Sequence, residues 1–379
     1  MIPFNKPYVP DASKEYVIEA LESDHQQGDG PFTKLASKMV SDLVGGGHVL
    51  LTPSCTHALE MASMLGNFGP GDEVILPSYT FTSAATAITK FGATPVFVDI
   101  DPTSKCLDAN QVSDAVTDKT VAISWVNYAG VAPDIEALQN ISEKYKLLLI
   151  EDNAHGLGGT YKGKPLGSFG DFATQSFHAT KNIQCGEGGA IIINRSEFIE
   201  RAEIIREKGT DRKRYINKEV QKYQWVDNGS SYLLAETLAA VLLGQLEVFE
   251  IIQKTRHQQI KMYEDLFAKM NSSLSEEIQV GKNLKNSSHM FYLEVSELKR
   301  KLFIERVSEH LNASSHYEPL HDSQKGRQFE RKLTPMKQSI NFANRIVRIP
   351  IHSHINISKT STHAVSEIIE NEILRLQHL

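Results

Sequence analysis

The chain has 379 residues, more than one average domain holds, with 40 Lys and Arg against 46 Asp and Glu and a formal net charge of -6. That balance excludes a basic surface made for a nucleic-acid backbone and points to a small-molecule partner. Cys55, Cys106 and Cys185 share neither metal-ligand nor paired spacing, which excludes a disulfide scaffold and indicates a reducing, cytoplasmic setting.

The opening MIPFNKPYVPDASKEY lacks the apolar core of a signal peptide, and no apolar run approaches the roughly 20 residues of a membrane span, so a soluble chain is expected. From residue 48 short apolar runs alternate with helical stretches: HVLLT (48–52), DEVILP (72–77), TPVFVDI (94–100), TVAISWV (120–126), KLLLIED (146–152) and GAIIIN (189–194). This alternation predicts an α/β fold with a largely parallel sheet covered on both faces, whose ligands gather at the carboxyl ends of the strands. Apolar residues at helical spacing predict helix over 231–259, and the alternation breaks at the polar stretch NSSLSEE (271–277). The domain change is placed near residue 250, giving a large domain over 1–250 and a smaller α+β domain over 251–379. The latter carries HMFYLEV (289–295) as a strand and SELKRKLFIERVSEHL (296–311) as an amphipathic helix.

The strand over 147–150 ends in EDNAHG, placing Glu151, Asp152 and His155 at its carboxyl end; a solvated turn is the plain alternative. About 29 residues on, SFHATKNIQCGEGG puts the single basic side chain Lys181 between a strand end and a glycine-rich turn. A lysine kept near neutral by burial can bond to a carbonyl, and an aspartate can hold a pyridine nitrogen protonated. These are the two groups pyridoxal phosphate (PLP) needs. LLTPSCTHALEMASML (50–65) adds a helix N-terminus at Ser54, Cys55 and Thr56 suited to a phosphate, with ordinary capping as the alternative. LPSYTFTSAATA (76–87) offers Tyr79 and Phe81 to a flat ring, or to the core.

With GPGDEVILPSYTF, ATPVFVDID, LLLIEDNAHGLGGTYKGKPLGSFGDFATQSFHATKN, GEGGAIIIN and RAEIIREKGTDR, the chain resembles, over essentially its whole length, the DegT/DnrJ sugar-nucleotide aminotransferases. The resemblance implies the aspartate aminotransferase (type I PLP) fold and a homodimer with shared active sites. It makes Lys181 the lysine that bonds the cofactor's aldehyde and shuttles the proton, and Asp152 the pyridinium partner. It puts His155 near the phenolic oxygen, Phe81 on the ring, and Cys55, Thr56 and Ser176 at the phosphate. A segment equivalent to DNGSSYLLAE reaches in from the partner copy. Many relatives have asparagine where Ser231 stands, at a phosphate contact across the interface, and Asn228 lies close by in sequence. At Cys55 the broader family usually has glycine. TPSCTHALEMA, GDGPFT, REKGTDR and GSSYLLAETLAA resemble the branch that moves the amino group of L-glutamate onto C4 of dTDP-4-keto-6-deoxyglucose, with 4-aminoglucose and 3-amino products as alternatives. A dehydrating branch lacks the lysine, and a non-catalytic regulator would show damage at Lys181 or Asp152; both residues are present. GEGG lacks the lysine and hydroxyl pattern of a P-loop, which removes an NTPase.

In HYEPLH (316–321), His316 and Tyr317 are expected to face the sugar nucleotide, and no third ligand accompanies His316 and His321 for a metal. HSHIN (352–356) reads as a strand end after VRIPI, and Cys185 as a buried packing thiol. REKGTDRKR (206–214) reads as a loop over an anionic diphosphate, with a solvated loop as the alternative.

Overall fold

The computed structural model describes residues 3–269, 278–329, 335–353, 367–372 and 375; the polar stretch 271–277 and residues 354–356 of the HSHIN run lie outside them. The strands are β1 (His48–Thr52), β2 (Glu73–Pro77), β3 (Thr94–Val98), β4 (Thr120–Val126), β5 (Leu148–Asp152), β6 (Thr160–Tyr161), β7 (Lys164–Pro165), β8 (Phe172–Ser176), β9 (Gly189–Ile193), β10 (Ile278–Val280), β11 (Phe291–Val295) and β12 (Ile346–Ile349). Seven of them form one sheet in the order β1-β9-β8-β5-β4-β2-β3, and β6 with β7 makes a small hairpin. Within the large sheet only β9 runs against its neighbours.

Near-continuous apolar strands bury both faces, as the sequence pattern requires. Leu50, Leu76, Ile191 and Ile193 turn to one face against the helices Cys55–Leu65, Thr82–Thr89 and Ile199–Arg206. On the other face, Leu51 and Ile192 meet the helices Pro31–Leu43 and Glu236–Glu247, while Ile75 and Val96 meet Ala109–Ala115 and Ile135–Tyr145. Each such side chain taken out of water contributes about 1.5–3 kcal/mol.

The helix expected over 231–259 is two helices, Glu236–Glu247 and Phe249–Lys269, because Val248 leaves helical geometry at φ -106, ψ 18. Residues 278–349 supply a second, antiparallel sheet β10-β11-β12. Ile260, Tyr263 and Phe267 of the long helix, Phe303 of the helix Glu297–Val307 and Phe342 of the helix Lys337–Arg345 close its core. Tyr79 and Tyr128, from beyond the ends of β2 and β4, join that cluster, so the second sheet's core abuts the carboxyl ends of the first.

Candidate active site

At those carboxyl ends lies a cavity of about 520 Å³ lined by Cys55, Thr56, Phe81, Asp152, His155, Ser176, Lys181, His316 and Tyr317. Residues widely spaced in sequence meet there because parallel strands deliver all their exits to one edge. Ser54 caps the helix Cys55–Leu65, its Oγ accepting the His57 N–H at 3.2 Å, so the amides of the first turn are left for a ligand. The Cys55 thiol donates to the Thr174 hydroxyl at 3.5 Å, and Thr56 Oγ1 pairs with Ser83 Oγ at 2.7 Å.

Glu151 and Asp152 end the same strand, and the pleat sends them to opposite faces. The Glu151 carboxylate accepts from the backbone of Gly167 (2.7 Å) and Phe169 (2.9 Å) and from Asn127 Nδ2 (2.8 Å), which makes it a buried structural anchor. Asp152 lines the cavity and accepts the Ala154 N–H at 3.0 Å. Lys181 sits in the turn from β8 to β9, where its N–H donates to the His178 carbonyl at 2.8 Å. Gly186, at φ +85, reverses the chain there, a conformation that favours glycine.

Burial pushes the Lys181 ammonium down to about 8, so about a tenth of it is neutral at pH 7. Burial raises Asp152, with the Lys181 charge pulling the other way, and raises the Cys55 thiol. His155 and His316 are held well below the ordinary imidazole range, first by burial and then by Lys181 and other nearby positive groups. Ala129, at φ 54, gives its N–H to His155 Nδ1 at 3.4 Å, and Tyr317 Oη lies 3.3 Å from His155 Nε2. His316 Nδ1 pairs with the Tyr128 hydroxyl at 2.7 Å, and its ring stacks on Tyr317 at 3.6 Å.

Arg348 and His289 are among the lining residues that the sequence reading did not single out. Arg348 on β12 lies with its guanidinium 4.4 Å from the Phe4 ring centroid, and its buried Nε has no hydrogen-bond partner. His289 stacks on His155 with ring centroids 4.2 Å apart. In sequence the first is one residue of an ordinary strand and the second opens another. Only the docking of the second sheet brings them in.

Other expected residues lie elsewhere. Tyr79 is fully buried against Tyr128 and Phe342, so Phe81, half exposed at 53%, is the aromatic of that loop that lines the cavity. Asn228 and Ser231 are exposed and do not line the cavity; Ser231 bridges to Glu207. The run 206–214, expected as a loop over a diphosphate, carries a network of ion pairs. Arg206 is buried against Asp29 (2.6 Å) and Glu203 (3.3 Å), Lys213 also meets Glu203, and Lys208 and Arg212 share Glu207 at 3.0 Å each. Arg214 lies 3.5 Å from Glu219. The carboxylates of the helix Ile199–Arg206 and its surroundings are close enough to take every cation of the run. His321 pairs with Ser78 Oγ at 2.5 Å, and Cys185 is buried. Among the described residues no group of three or more His, Cys, Asp or Glu could hold a metal, and no helix is long and apolar enough to cross a membrane.

The sequence matches the model of the DegT/DnrJ/EryC1/StrS aminotransferase family over residues 8–370. The chain belongs to that family. It is 34% identical over 263 residues to GDP-perosamine synthase of Caulobacter vibrioides, covering 69% of each protein. The structure of the putative sugar aminotransferase Spr1654 of Streptococcus pneumoniae in its PMP form superposes with TM-score 0.89 at 26% identity, over 99% of this chain and all of that one. DesI, solved in the presence of its TDP-sugar product, gives 0.86 at 25% identity over 98% and 93%. The DegT-family chain therefore has the type I PLP fold and is a PLP-dependent sugar aminotransferase. Its residues fit that cofactor: one cavity combines a helix N-terminus for a phosphate, a buried carboxylate for a ring nitrogen and an amine of lowered basicity.

Proposed function

We propose that this enzyme moves the amino group of L-glutamate onto C4 of dTDP-4-keto-6-deoxyglucose, giving dTDP-4-amino-4,6-dideoxygalactose and 2-oxoglutarate for cell-surface polysaccharide synthesis in the cytoplasm. The observation that carries the reading is Lys181, an amine of lowered basicity sharing one cavity with buried Asp152. PLP held there supplies an aldehyde that takes up the donor's amino group and a ring that draws off the electrons of the adjacent C–H bond. Lys181 is the base that takes the proton from that carbon and the acid that returns it. Asp152 keeps the ring nitrogen protonated. First-turn amides at Cys55 and Thr56, with the Ser176 hydroxyl, would hold the phosphate, Phe81 would lie against the ring and His155 would serve its phenolic oxygen. His316 and Tyr317 orient the sugar.

A carboxylate-bearing donor is supported by Arg348, a cation in the cavity whose Nε has no partner. A homodimer is supported by the exposure of Asn228 and Ser231, one of which reaches the phosphate in the partner copy's site, and by the nearby Trp225, 78% exposed. The dTDP carrier is supported by DesI and its TDP-sugar product, whereas the Caulobacter relative is named for a GDP sugar. The second reading keeps the chemistry and gives a 4-aminoglucose or 3-amino product.

The test is an absorbance titration of the PLP-loaded protein with L-glutamate, followed by dTDP-4-keto-6-deoxyglucose and NMR of the sugar formed. The reading expects a cofactor band that bleaches with glutamate, returns with the sugar and yields the galacto 4-amine. Recovery only with a GDP-linked sugar, or another amino sugar, would overturn the substrate and keep the chemistry.

A further inference from the structure

Asn182, the residue after Lys181, is buried and makes three side-chain hydrogen bonds. Its Nδ2 donates to Gln253 Oε1 at 2.9 Å and to the Ser287 carbonyl at 2.8 Å. The Gln253 amide is oriented by its own Nε2, which donates to the carbonyls of Ser287 (3.0 Å) and Leu157 (3.3 Å). Both donors of Asn182 are thereby spent on acceptors, so its Oδ1 can only accept. The group at Oδ1 is His289 Nδ1, 3.0 Å away, and that nitrogen must carry the proton. His289 is neutral in this buried place, so its Nε2 is bare.

His155 is fixed in the opposite sense. Its Nδ1 accepts the Ala129 N–H at 3.4 Å, so its proton sits on Nε2, directed at Tyr317 Oη 3.3 Å away. The two rings stack at 4.2 Å with 19° between their planes, and Ser287 Oγ ties to the His155 carbonyl at 2.6 Å. One set of bonds thus joins the turn bearing Lys181, the long helix at Gln253, the approach to β11 and the histidine of the cavity.

We propose that His289 is a positioning residue of the transamination: locked by Asn182 as the neutral Nδ1–H tautomer, it backs the ring of His155 and registers it against the Lys181 turn. The inference rests on the role given above to His155 at the cofactor. The pair must remain uncharged, because the groups facing it are mostly cations. Lys181 approaches from the turn, Arg256 from the helix Phe249–Lys269, Arg348 from β12 and His316 with Tyr317 from the 316–317 segment; Asp152 of β5 supplies the nearby anion. A proton on His289 would break the neutral stack and set a further positive charge against Arg256 and Arg348.

The decisive experiment is long-range ¹H–¹⁵N NMR of the histidine-labelled, PLP-free protein from pH 5.5 to 8.5, about the range over which an ordinary imidazole titrates. The expected result is His289 as the Nδ1–H tautomer and His155 as the Nε2–H tautomer, neither titrating. Asn182→Asp should make His289 titrate within that window, and once PLP is loaded the glutamate half-reaction should fall as pH falls through the new value, while wild type is flat there. His289→Phe keeps a flat ring but loses the bond to Asn182. Its glutamate half-reaction should slow about 10- to 100-fold, with the sugar's KM changed less than about 2-fold. Finding His289 as the Nε2–H tautomer, or titrating in the wild type, overturns the proposal, as do two folded variants with wild-type half-reactions and pH profiles. A protein with the expected tautomers that showed no glutamate half-reaction would instead count against the proposed function.

Discussion

Gly189, the first residue of β9, passes so close to the helix N-terminus that a Cβ on it would overlap the Cys55 amide nitrogen and the Ser54 carbonyl carbon. The last glycine of the GEGG run is there for clearance, and the clearance it gives belongs to the turn proposed to hold the phosphate. Gly189→Ala should push that turn aside, costing about 1–3 kcal/mol of stability and weakening PLP binding. Gly69→Ala meets nothing within 4 Å and serves as the control, expected within about 0.5 kcal/mol of wild type. Thermal unfolding with and without PLP, with equilibrium dialysis of the cofactor, measures both.

The lowered basicity of Lys181 makes a pH prediction with a definite sign. Only the neutral amine attacks an aldehyde, so PLP uptake by the cofactor-free protein should quicken with pH and level off above about 8, where an ordinary lysine would go on rising towards 10.5. The same shift links to stability. Below about 8 the buried charge opposes folding in full; between about 8 and 10.5 the unfolded chain holds the extra proton, so stability rises with pH across that window. Lys181→Met should abolish transamination yet raise the melting temperature of the cofactor-free protein at pH 7. Stopped-flow absorbance and calorimetry read the two effects.

Neighbouring carboxylates should behave oppositely. Glu151→Gln turns an amide donor towards backbone N–H donors at Gly167 and Phe169, and should cost about 1–3 kcal/mol while leaving both half-reactions of the folded enzyme near wild type. Asp152→Asn should fold normally and slow the glutamate half-reaction by about 10²–10⁴-fold. Denaturant unfolding beside single-turnover absorbance separates the two.

Arg348 is expected to bear on the amino donor alone. Arg348→Gln should raise the KM for glutamate about 10- to 100-fold, the loss of one charge-assisted contact, with the sugar half-reaction changed little. Steady-state kinetics with each substrate varied in turn checks it.

How far the sequence could be read follows from where information sits along the chain. The parallel strands announce themselves by apolar runs, and Asp152, Lys181, Cys55 and Thr56 by lying at or just past strand ends, where an α/β sheet collects its chemistry. Phe172–Ser176 was partly visible as the β-leaning run before Lys181, but its pairing with β9 was not. Tyr79 and Phe81 cannot be told apart by pattern, because past Pro77 the chain leaves the strand and loses its two-residue period; docking of the second core buries Tyr79 and leaves Phe81 in the cavity. Arg348 and His289 reach the site through long-range packing, and of the carboxylates that pair with the 206–214 cations Glu203 and Glu207 are near in sequence while Asp29 is brought in by tertiary contact. Short-range signals reveal elements and their ends; which side chains face one another across a cleft is settled by tertiary contact.

The central claim is that Lys181 bonds the cofactor. Borohydride reduction of the PLP-loaded protein followed by peptide mass spectrometry tests it directly. The prediction is a single phosphopyridoxyl group on the peptide containing Lys181, absent when L-glutamate is added before the reductant. A label on another lysine, or none on a protein that shows the cofactor's band, would contradict it.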